Sequence, residues 1–370
     1  MRKYLIKRWW LVLFGVIALV LVAIFSNNAT ATEFVYSRAV FPVVSTIVGF
    51  LPSLVTFSVA EWVVIAFVLF CIGYIVYWII QLIRKKEERG FQLYKAVVGV
   101  LGIVSVTLFC FVITGGLNYY RYTFAESADI ELTQSSPDEL EQLCWSLADN
   151  MNKTRAEIGE DVDVCTFNSD KFEQYAGFSV DALETLSETY PVLSRPLYSK
   201  PKPVIASEFL SDANIAGIYF PFTEESNINT QSMFFNIPAT MSHELAHQCG
   251  FMREDEANYI AYAACVHTGQ DALMRYSGYT LAYDYAISAL RRVDPTAVNE
   301  ISASLSDTVK ADRLRKAQYL AEHEGEMSRI STSMNDAYLK ANKQTDGVQS
   351  YGRMVDLLLA ERRDNTFAGD

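Results

Sequence analysis

A two-histidine motif carries the clearest chemical signal in this 370-residue chain. His243 and His247 frame the sequence HELAH, so on a helix both side chains lie on one face and can bind one metal ion. Glu244 would then face the open coordination position, where its carboxylate can take a proton from a metal-bound water. Because the chain has only 4 histidines, chance would produce the pattern in roughly a few of every thousand such sequences.

A zinc site with two histidines needs a third protein ligand and a position left open for water. Glu254 and Asn258 follow the motif and, being four residues apart, share a helix face. This spacing lets Glu254 bind the metal while Asn258 hydrogen-bonds a ligand histidine. Glu256 points elsewhere on the same helix and is the second choice for the ligand. Acidic residues are also favoured in a first helical turn by the helix dipole, which explains many such clusters without a metal.

The elements that must position these residues are predicted from their neighbours. Pro238 suits the first turn of a helix that carries the motif, and Gly250 suits the position just past its last turn. Upstream, the apolar stretch from Gly217 to Asn229 is typical of strands joined by turns. Pro221 inside that stretch indicates an edge strand or a bend.

The rest of the C-terminal region is predicted to be mostly helical. Apolar residues at helical spacing predict helices over residues 136–160 and 171–190, and Pro201 to Ile205 is predicted to be extended. From about residue 238 to the end the chain is again predicted to be helical, with breaks at Gly269, Gly278, Pro295 and Gly347. The predicted fold class is therefore α+β, a small sheet followed by a helical array.

The N-terminal region is predicted to be a membrane anchor over residues 1–117. It contains three apolar runs at about 9–26, 62–83 and 96–117, each close to the roughly 18 to 20 residues that a helix needs to cross a bilayer. Ala29-Thr30-Ala31 resembles a signal-peptide cleavage site, but we favour an anchor because the first run is long for a signal peptide. The apolar stretch from Val40 to Thr56 is interrupted by prolines, which favours an interfacial or re-entrant segment.

Charge predicts the orientation of this anchor. Basic residues cluster at the N-terminus and in the loop RKKEERG, which marks both as cytoplasmic and places residues 118–370 outside the cytoplasm. Residues 1–117 carry a net charge of +6 and the remainder −18, which makes −12 for the chain. An acidic chain of this kind is not expected to bind nucleic acid. The expected partners are the lipid bilayer and a peptide or protein substrate in the cell envelope.

Four cysteines lie in the predicted outer domain. An oxidising compartment would permit disulfides between them, and free buried thiols are equally compatible with the sequence. The pairing stays open for Cys144, Cys165, Cys249 and Cys265.

The segment HELAHQCGFMREDEANYIAYAAC resembles the gluzincin metallopeptidases, in which H-E-x-x-H precedes a glutamate on a later helix. Its E-x-x-A-N is similar to the E-x-x-A-D of the membrane-bound family that includes the CAAX prenyl endopeptidase and its bacterial heat-shock relative, with Asn258 in place of the aspartate. The resemblance implies one Zn²⁺ ion held by His243, His247 and Glu254, Glu244 as general base, and a substrate-holding edge strand just upstream.

A gluzincin also uses a Tyr, His or Arg side chain to stabilise the oxyanion. On that resemblance the weak candidates are Tyr351 and Arg353, together with Tyr219 and His267, although each of these residue types is more often structural.

Nearly the whole chain resembles an uncharacterised bacterial membrane family, domain of unknown function 3810. The resemblance lies in the three N-terminal spans and in PKPV, GIYFPFTEESNIN, HELAH, YSGY and DAYLKANKQTDGVQSYGRMVDLLLA. It implies a membrane protein with a zincin-like outer domain.

The sequence thus predicts a membrane-anchored zinc metallopeptidase that hydrolyses peptide bonds outside the cytoplasm. The alternative is a non-catalytic zinc-binding membrane sensor or envelope scaffold with a degenerate peptidase fold. An intramembrane protease fits less well, because the motif lies more than a hundred residues beyond the last predicted span, in a polar segment.

Overall fold

The computed structural model describes residues 8–341 and 354–364, which form many helices and one small sheet. The apolar N-terminal helices are α1 (Trp9–Phe25), α2 (Ala29–Ser53), α3 (Val59–Arg84) and α4 (Arg89–Ile113). The later helices are α5 (Phe124–Ser127), α6 (Pro137–Ile158), α7 (Ser169–Thr189), α8 (Ser207–Asp212), α9 (Ile237–Gln248), α10 (Glu254–His267), α11 (Ala272–Leu290), α12 (Pro295–Ser304), α13 (Asp307–Glu322), α14 (Glu326–Ala341) and α15 (Met354–Asp364). The prediction of a mostly helical fold with a small sheet is confirmed.

The sheet is mixed and has three strands, β1 (Lys202–Pro203), β2 (Gly217–Phe220) and β3 (Glu225–Ile228), in the order β1-β3-β2. The central strand β3 pairs parallel with β1 and antiparallel with β2, with Gly217 opposite Ile228. Strand β2 is therefore an edge strand, as Pro221 immediately after it predicted.

The helices around the sheet follow their local sequence signals. Ser136 and Glu139 form a reciprocal capping box that starts α6, and the predicted helices over 136–160 and 171–190 are confirmed. The predicted break at Gly278 is wrong, because this residue lies inside α11. A Cβ there would lie 2.8 Å from the Cβ of Cys265, so the glycine lets α11 pack closely on α10. The predicted break at Gly347 falls outside the described residues.

The six cysteines are all free thiols. The four in the C-terminal region are buried, so burial in the apolar core accounts for them without disulfides.

Three helices among the described residues are long and apolar enough to cross a membrane: Ala29–Ser53, Val59–Arg84 and Lys86–Ile113. The first predicted run corresponds to Trp9–Phe25, which is apolar but has 17 residues. The second and third predicted runs fall largely within α3 and α4. Helix α4 ends at Ile113, earlier than predicted, because the chain turns at Thr114.

The apolar helices have a defined relative direction. Gly102 of α4 lies against Leu11 of α1, and Gly15 of α1 lies against Ser105 of α4, so these two helices run parallel. Helix α3 precedes α4 through a short connection and runs antiparallel to it, with the Tyr74 hydroxyl donating to the Ala96 carbonyl at 2.7 Å. The carboxyl ends of α1 and α4 and the amino end of α3 therefore lie at one end of the group.

The prediction that prolines interrupt the stretch from Val40 to Thr56 is wrong, because α2 runs through both of them. Pro42 lies in the first turn of the α-helical part, after a π-helical stretch over Thr32–Val40, and Pro52 lies in its last turn. Proline is tolerated in a first turn, where its missing N–H removes no necessary hydrogen bond.

The sheet is attached to α3 by a buried carboxylate. Glu225 of β3 pairs with Lys202 of β1 at 2.6 Å, and both side chains are almost fully buried. The same carboxylate accepts hydrogen bonds from the backbone N–H groups of Val59 and Ala60 at 3.0 and 2.8 Å. It therefore caps the amino end of α3, where free N–H groups and the helix dipole favour a negative charge.

A second buried ion pair attaches α2. Glu33 receives two hydrogen bonds from the guanidinium of Arg121, both at 2.9 Å, with no exposure of the glutamate side chain. Such bidentate, charge-assisted pairs are strong when they are buried. The sheet and the segment that follows α4 are thus joined to α3 and α2 by charge as well as by packing.

Replacing Glu225 by glutamine should lower the free energy of unfolding of the full chain by about 3 kcal/mol or more, because Lys202 would stay buried without its counter-charge. Chemical unfolding of the detergent-solubilised protein measures the change. Asp149→Asn is the matched control, since its pair with Lys153 is exposed on both sides and should contribute less than about 0.5 kcal/mol. Equal effects of the two substitutions would contradict the role given to Glu225.

Candidate metal centre

Helix α9 carries the HELAH motif between the two predicted boundary residues. Pro238 lies in its first turn, and Gly250 follows its last turn with φ of +83°. The Gly250 N–H donates to the His247 carbonyl at 2.9 Å and the Phe251 N–H to the Ala246 carbonyl at 3.2 Å. This is a Schellman turn, which needs a left-handed residue that glycine provides without strain. It directs the chain back so that the Phe251 carbonyl faces His247.

Three donor side chains converge between α9 and α10. The Nε2 atoms of His243 and His247 lie 3.1 Å apart, and the Glu254 carboxylate lies 3.1 Å from the first and 3.9 Å from the second. One donor atom from each residue fits within 4.8 Å of the other two. Ligand atoms around a single tetrahedral zinc ion lie about 3.3 Å apart, so the spacing fits a metal site.

The outer nitrogen of each ring fixes its tautomer. Nδ1 of His247 lies 2.7 Å from the Phe251 carbonyl, and Nδ1 of His243 lies 3.0 Å from Oδ1 of Asn258. A carbonyl oxygen can only accept, so each Nδ1 carries the proton and each neutral ring keeps a lone pair on Nε2. With both rings neutral, two nitrogen lone pairs and a carboxylate would face one another, an arrangement that either a metal ion or a proton on one Nε2 stabilises. The chemistry of the donor set thus fits a metal ion.

The pKa values of the two rings also show that one positive charge is favoured between them and Glu254. Burial lowers the pKa of His243, but the hydrogen bond and charge of Glu254 outweigh it and raise that pKa to about 9. Burial and the neighbouring charge of His243 lower the pKa of His247 to about 4. Without a metal, the pair of rings therefore carries one positive charge near neutral pH, on His243.

Glu244 lies beside this cluster and is almost fully buried. Burial raises its pKa to about 7, and the charge of His243 opposes the rise. The backbone N–H of Tyr219 in β2 hydrogen-bonds the Glu244 carboxylate. A Cβ on Gly217 would lie 2.6 Å from its Oε1, so only glycine lets the edge strand approach this closely.

The remaining predicted residues lie at different places. Glu256 accepts a hydrogen bond from the Phe124 backbone N–H at 3.0 Å and does not join the three donors. His267 pairs with Glu361 at 2.9 Å, away from the cluster. The ring of Tyr219 lies 6.0 Å from that of His247 between centroids. The weak candidates Tyr351 and Arg353 lie outside the described residues.

Sequence reasoning missed two residues of the site. Gly217 was treated only as the start of a strand, and its role depends on how that strand meets α9. Tyr285 has no sequence signal of its own, but its hydroxyl lies 3.2 Å from Nδ2 of Asn258 and the residue lines the cavity. No local signal separates Tyr285 from the neighbouring tyrosines of α11, because its role comes from helix packing.

The cluster opens into a cavity of about 700 Å³. Its walls include the three donors, Glu244 and the edge strand β2, and a peptide-sized ligand fits such a volume. The arrangement can place a polarising cation, a buried carboxylate base and an open strand edge around one ligand.

Comparison with known proteins gives one match. A family model described as protein of unknown function (DUF3810) matches residues 36–359. Neither a curated protein nor a solved structure matches.

Replacing Asn258 by leucine should weaken zinc binding about 10- to 100-fold, because Nδ1 of His243 would lose the acceptor that orients the ring. Competition with a coloured chelator, on the full-length protein in detergent, measures the affinity. Asn258→Asp keeps an acceptor oxygen and should bind zinc within a few-fold of the wild type. Unchanged affinity in the leucine variant would show that Asn258 does not orient His243.

Proposed function

The chain belongs to the DUF3810 family of unknown function, and from its site we propose that it is a membrane-anchored, zinc-dependent metallopeptidase acting outside the cytoplasm. The observation that carries the proposal is the set of two facing imidazole nitrogens and a carboxylate, with the buried base Glu244 beside them. These four groups are the minimum for hydrolysis assisted by a metal ion.

Zinc is the metal that this donor set fits best. Two imidazole nitrogens and one carboxylate are typical ligands of catalytic zinc sites, and three protein ligands leave a position free. His243, His247 and Glu254 would hold the ion, which when bound would supply Lewis-acid activation of a water molecule and of a peptide carbonyl.

Glu244 is assigned the proton transfers. Its carboxylate takes a proton from the attacking water, whose oxygen bonds to the carbonyl carbon of the substrate. The same proton then passes to the amide nitrogen as the C–N bond breaks, which leaves a carboxylic acid and an amine. The remaining proton of the acid passes to the amine, so the products are a carboxylate and an ammonium group. Burial holds the pKa of Glu244 at about 7, so the group can both accept and return a proton near neutral pH.

Strand β2 is assigned the binding of the substrate main chain. The Asn229 N–H donates to the Ala216 carbonyl at 2.9 Å, so Gly217 and Tyr219 direct their backbone groups away from β3. Glu244 accepts the Tyr219 N–H, so the Gly217 backbone groups and the Tyr219 carbonyl are assigned to the substrate. Gly217 lines the cavity, and an extended peptide can add to this edge as a further strand.

The arrangement of the apolar helices supports the proposed orientation. The end of the helix group that contacts the metal-binding region is opposite to the basic connection that follows Arg84. Since basic connections are retained in the cytoplasm, the metal-binding region is assigned to the other side of the membrane.

Glu244→Gln should abolish peptide hydrolysis, with a loss of about 100-fold or more, while zinc binding is retained. The amide keeps the shape of the side chain but cannot accept the proton of water. Hydrolysis of a mixed-sequence quenched peptide library by the full-length protein in detergent, together with zinc content, measures both effects. Stoichiometric zinc without hydrolysis by the wild type would favour the sensor or scaffold instead.

Gly217→Ala should lower hydrolysis by about tenfold or more without loss of zinc, because the added methyl group displaces Glu244, and small misplacements of a catalytic group are costly. The same peptide library and zinc assay apply. Gly177→Ala is the control, since a Cβ there meets only a lysine tip at 3.9 Å. Equal activity of both variants would contradict the close approach of β2 to the base.

A further inference from the structure

We infer, on the basis of the proposed peptidase function, that the substrate is a membrane-anchored polypeptide that is cut in the extended segment immediately outside the bilayer. The cavity that contains the three metal donors is also lined by Phe111 of α4 and by Gly115 and Tyr119 just after it. One cavity therefore reaches from the metal donors to the end of a helix apolar enough to cross a membrane.

Few contacts separate the end of that helix from a metal donor. Thr114 directly follows α4, and its carbonyl accepts a hydrogen bond from the Tyr219 hydroxyl at 3.4 Å. The Tyr219 ring lies 6.0 Å from the His247 ring between centroids. The proposed scissile position thus lies close to the level at which α4 would leave the bilayer.

The edge strand runs between these two places. Gly217 lies beside Glu244, whereas Pro221, just after the strand, lies beside Gly115. A strand rises about 3.3 Å per residue, so the distance from Gly217 to Pro221 is about 13 Å. A peptide paired with β2 would therefore present its reacting bond about 3 to 6 residues from the bilayer edge.

Helix α2 supports this position of the bilayer edge. The Thr30 and Tyr122 hydroxyls lie 2.7 Å apart near its start, and Ser58 beyond its end donates to Asn227 at 2.6 Å, so the metal-binding region is contacted at both ends. A helix that crossed the bilayer could not reach the same side twice. The face turned away from that region is apolar and exposed, at Val43, Ile47, Phe50, Leu51 and Leu54. It is continuous with the apolar helices and fits the surface of the lipid.

The cavity is narrow where it reaches the end of α4. Gly115 is buried there, and a Cβ on it would lie 3.2 Å from the Met252 side chain and 3.7 Å from Pro221. This end of the cavity therefore suits an extended chain better than an intact helix. Backbone that is not helical is tolerated outside the hydrocarbon core but not within it, so the accessible segment lies just beyond the substrate's own anchor.

The test presents one peptide library at different heights above the membrane. The full-length protein is reconstituted in vesicles of phosphatidylcholine and phosphatidylglycerol. The same mixed-sequence quenched peptides are attached to a diacyl lipid through spacers of about 4 or about 20 residues, or are left free in solution. Both anchored forms share one surface density, and effective concentration falls roughly as the −3/2 power of spacer length, so the short spacer should be cut about tenfold faster.

Two variants test the end of the cavity next to α4. Gly115→Leu should remove the preference for the short spacer while zinc stays bound, because the added side chain fills the cavity beside Met252. Gly73→Leu is the matched control in α3, where a Cβ meets nothing within 4 Å, and it should keep the preference. A preference that survives in Gly115→Leu would overturn the inference.

Binding separates this inference from the proposed function. Energy transfer between a labelled short-spacer peptide and the inactive Glu244→Gln protein measures recognition without turnover, and about tenfold tighter binding than the long-spacer peptide is expected. Hydrolysis of all three probes at equal rates would overturn the inference and leave the peptidase intact. Absence of hydrolysis by the zinc-loaded wild type, with the binding preference retained, would overturn the peptidase alone.

Discussion

The attachment of the region around His243, His247 and Glu254 to the apolar helices through two buried carboxylates is the constraint on which the candidate site depends. Glu225 neutralises Lys202 and caps α3, and Glu33 holds Arg121. The Arg121 guanidinium in turn donates to the Cys249 carbonyl at 3.2 Å and lies 4.2 Å from the centre of the Phe251 ring. Because the Phe251 carbonyl orients His247, the charge of Glu33 on α2 is connected to this histidine through three successive contacts. A buried pair of this kind costs several kcal/mol when one partner is removed, so the relative position of the two regions is fixed.

The site itself is organised by the need for one positive charge. Both outer ring nitrogens donate to carbonyl oxygens, so the inner nitrogens face each other with their lone pairs, and Glu254 adds a negative charge. The pKa values of His243 and His247 shift in opposite directions for this reason. His243 is protonated beside Glu254, and its charge disfavours protonation of His247. The neighbouring base is buried by the approach of an edge strand at a glycine, so the metal donors and the strand are parts of one arrangement.

The parts that the sequence predicted correctly depend on local chemistry. The helix of the motif, its proline start and its glycine end are each decided within a few residues, and the spacing of Glu254 from Asn258 is a property of one helix. The closeness of Gly217 to Glu244 depends on how a strand packs on α9, so no local pattern reveals it. The predicted interruption of α2 is wrong because the two prolines lie in the first and last turns of its α-helical part, and a proline in a first turn does not break a helix. Distance along the chain did not predict distance in space. More than a hundred residues lie between the last apolar run and the motif, yet one cavity is lined by both Gly115 and His243.

The cap that Glu225 places on α3 also sets an order of assembly. Residues 60 and 225 are 165 positions apart, so α3 is synthesised long before its capping carboxylate exists. Until then the first amides of α3 must be satisfied by other acceptors such as water. Strand β3, which carries Glu225, contacts the amino end of α3 only after that helix is in place. Strand β3 in turn pairs with β2, which covers Glu244. A fragment that begins after the apolar helices would leave Lys202 and Glu225 without this partner. The placement of β2 beside Glu244 is therefore completed only once α3 is in place.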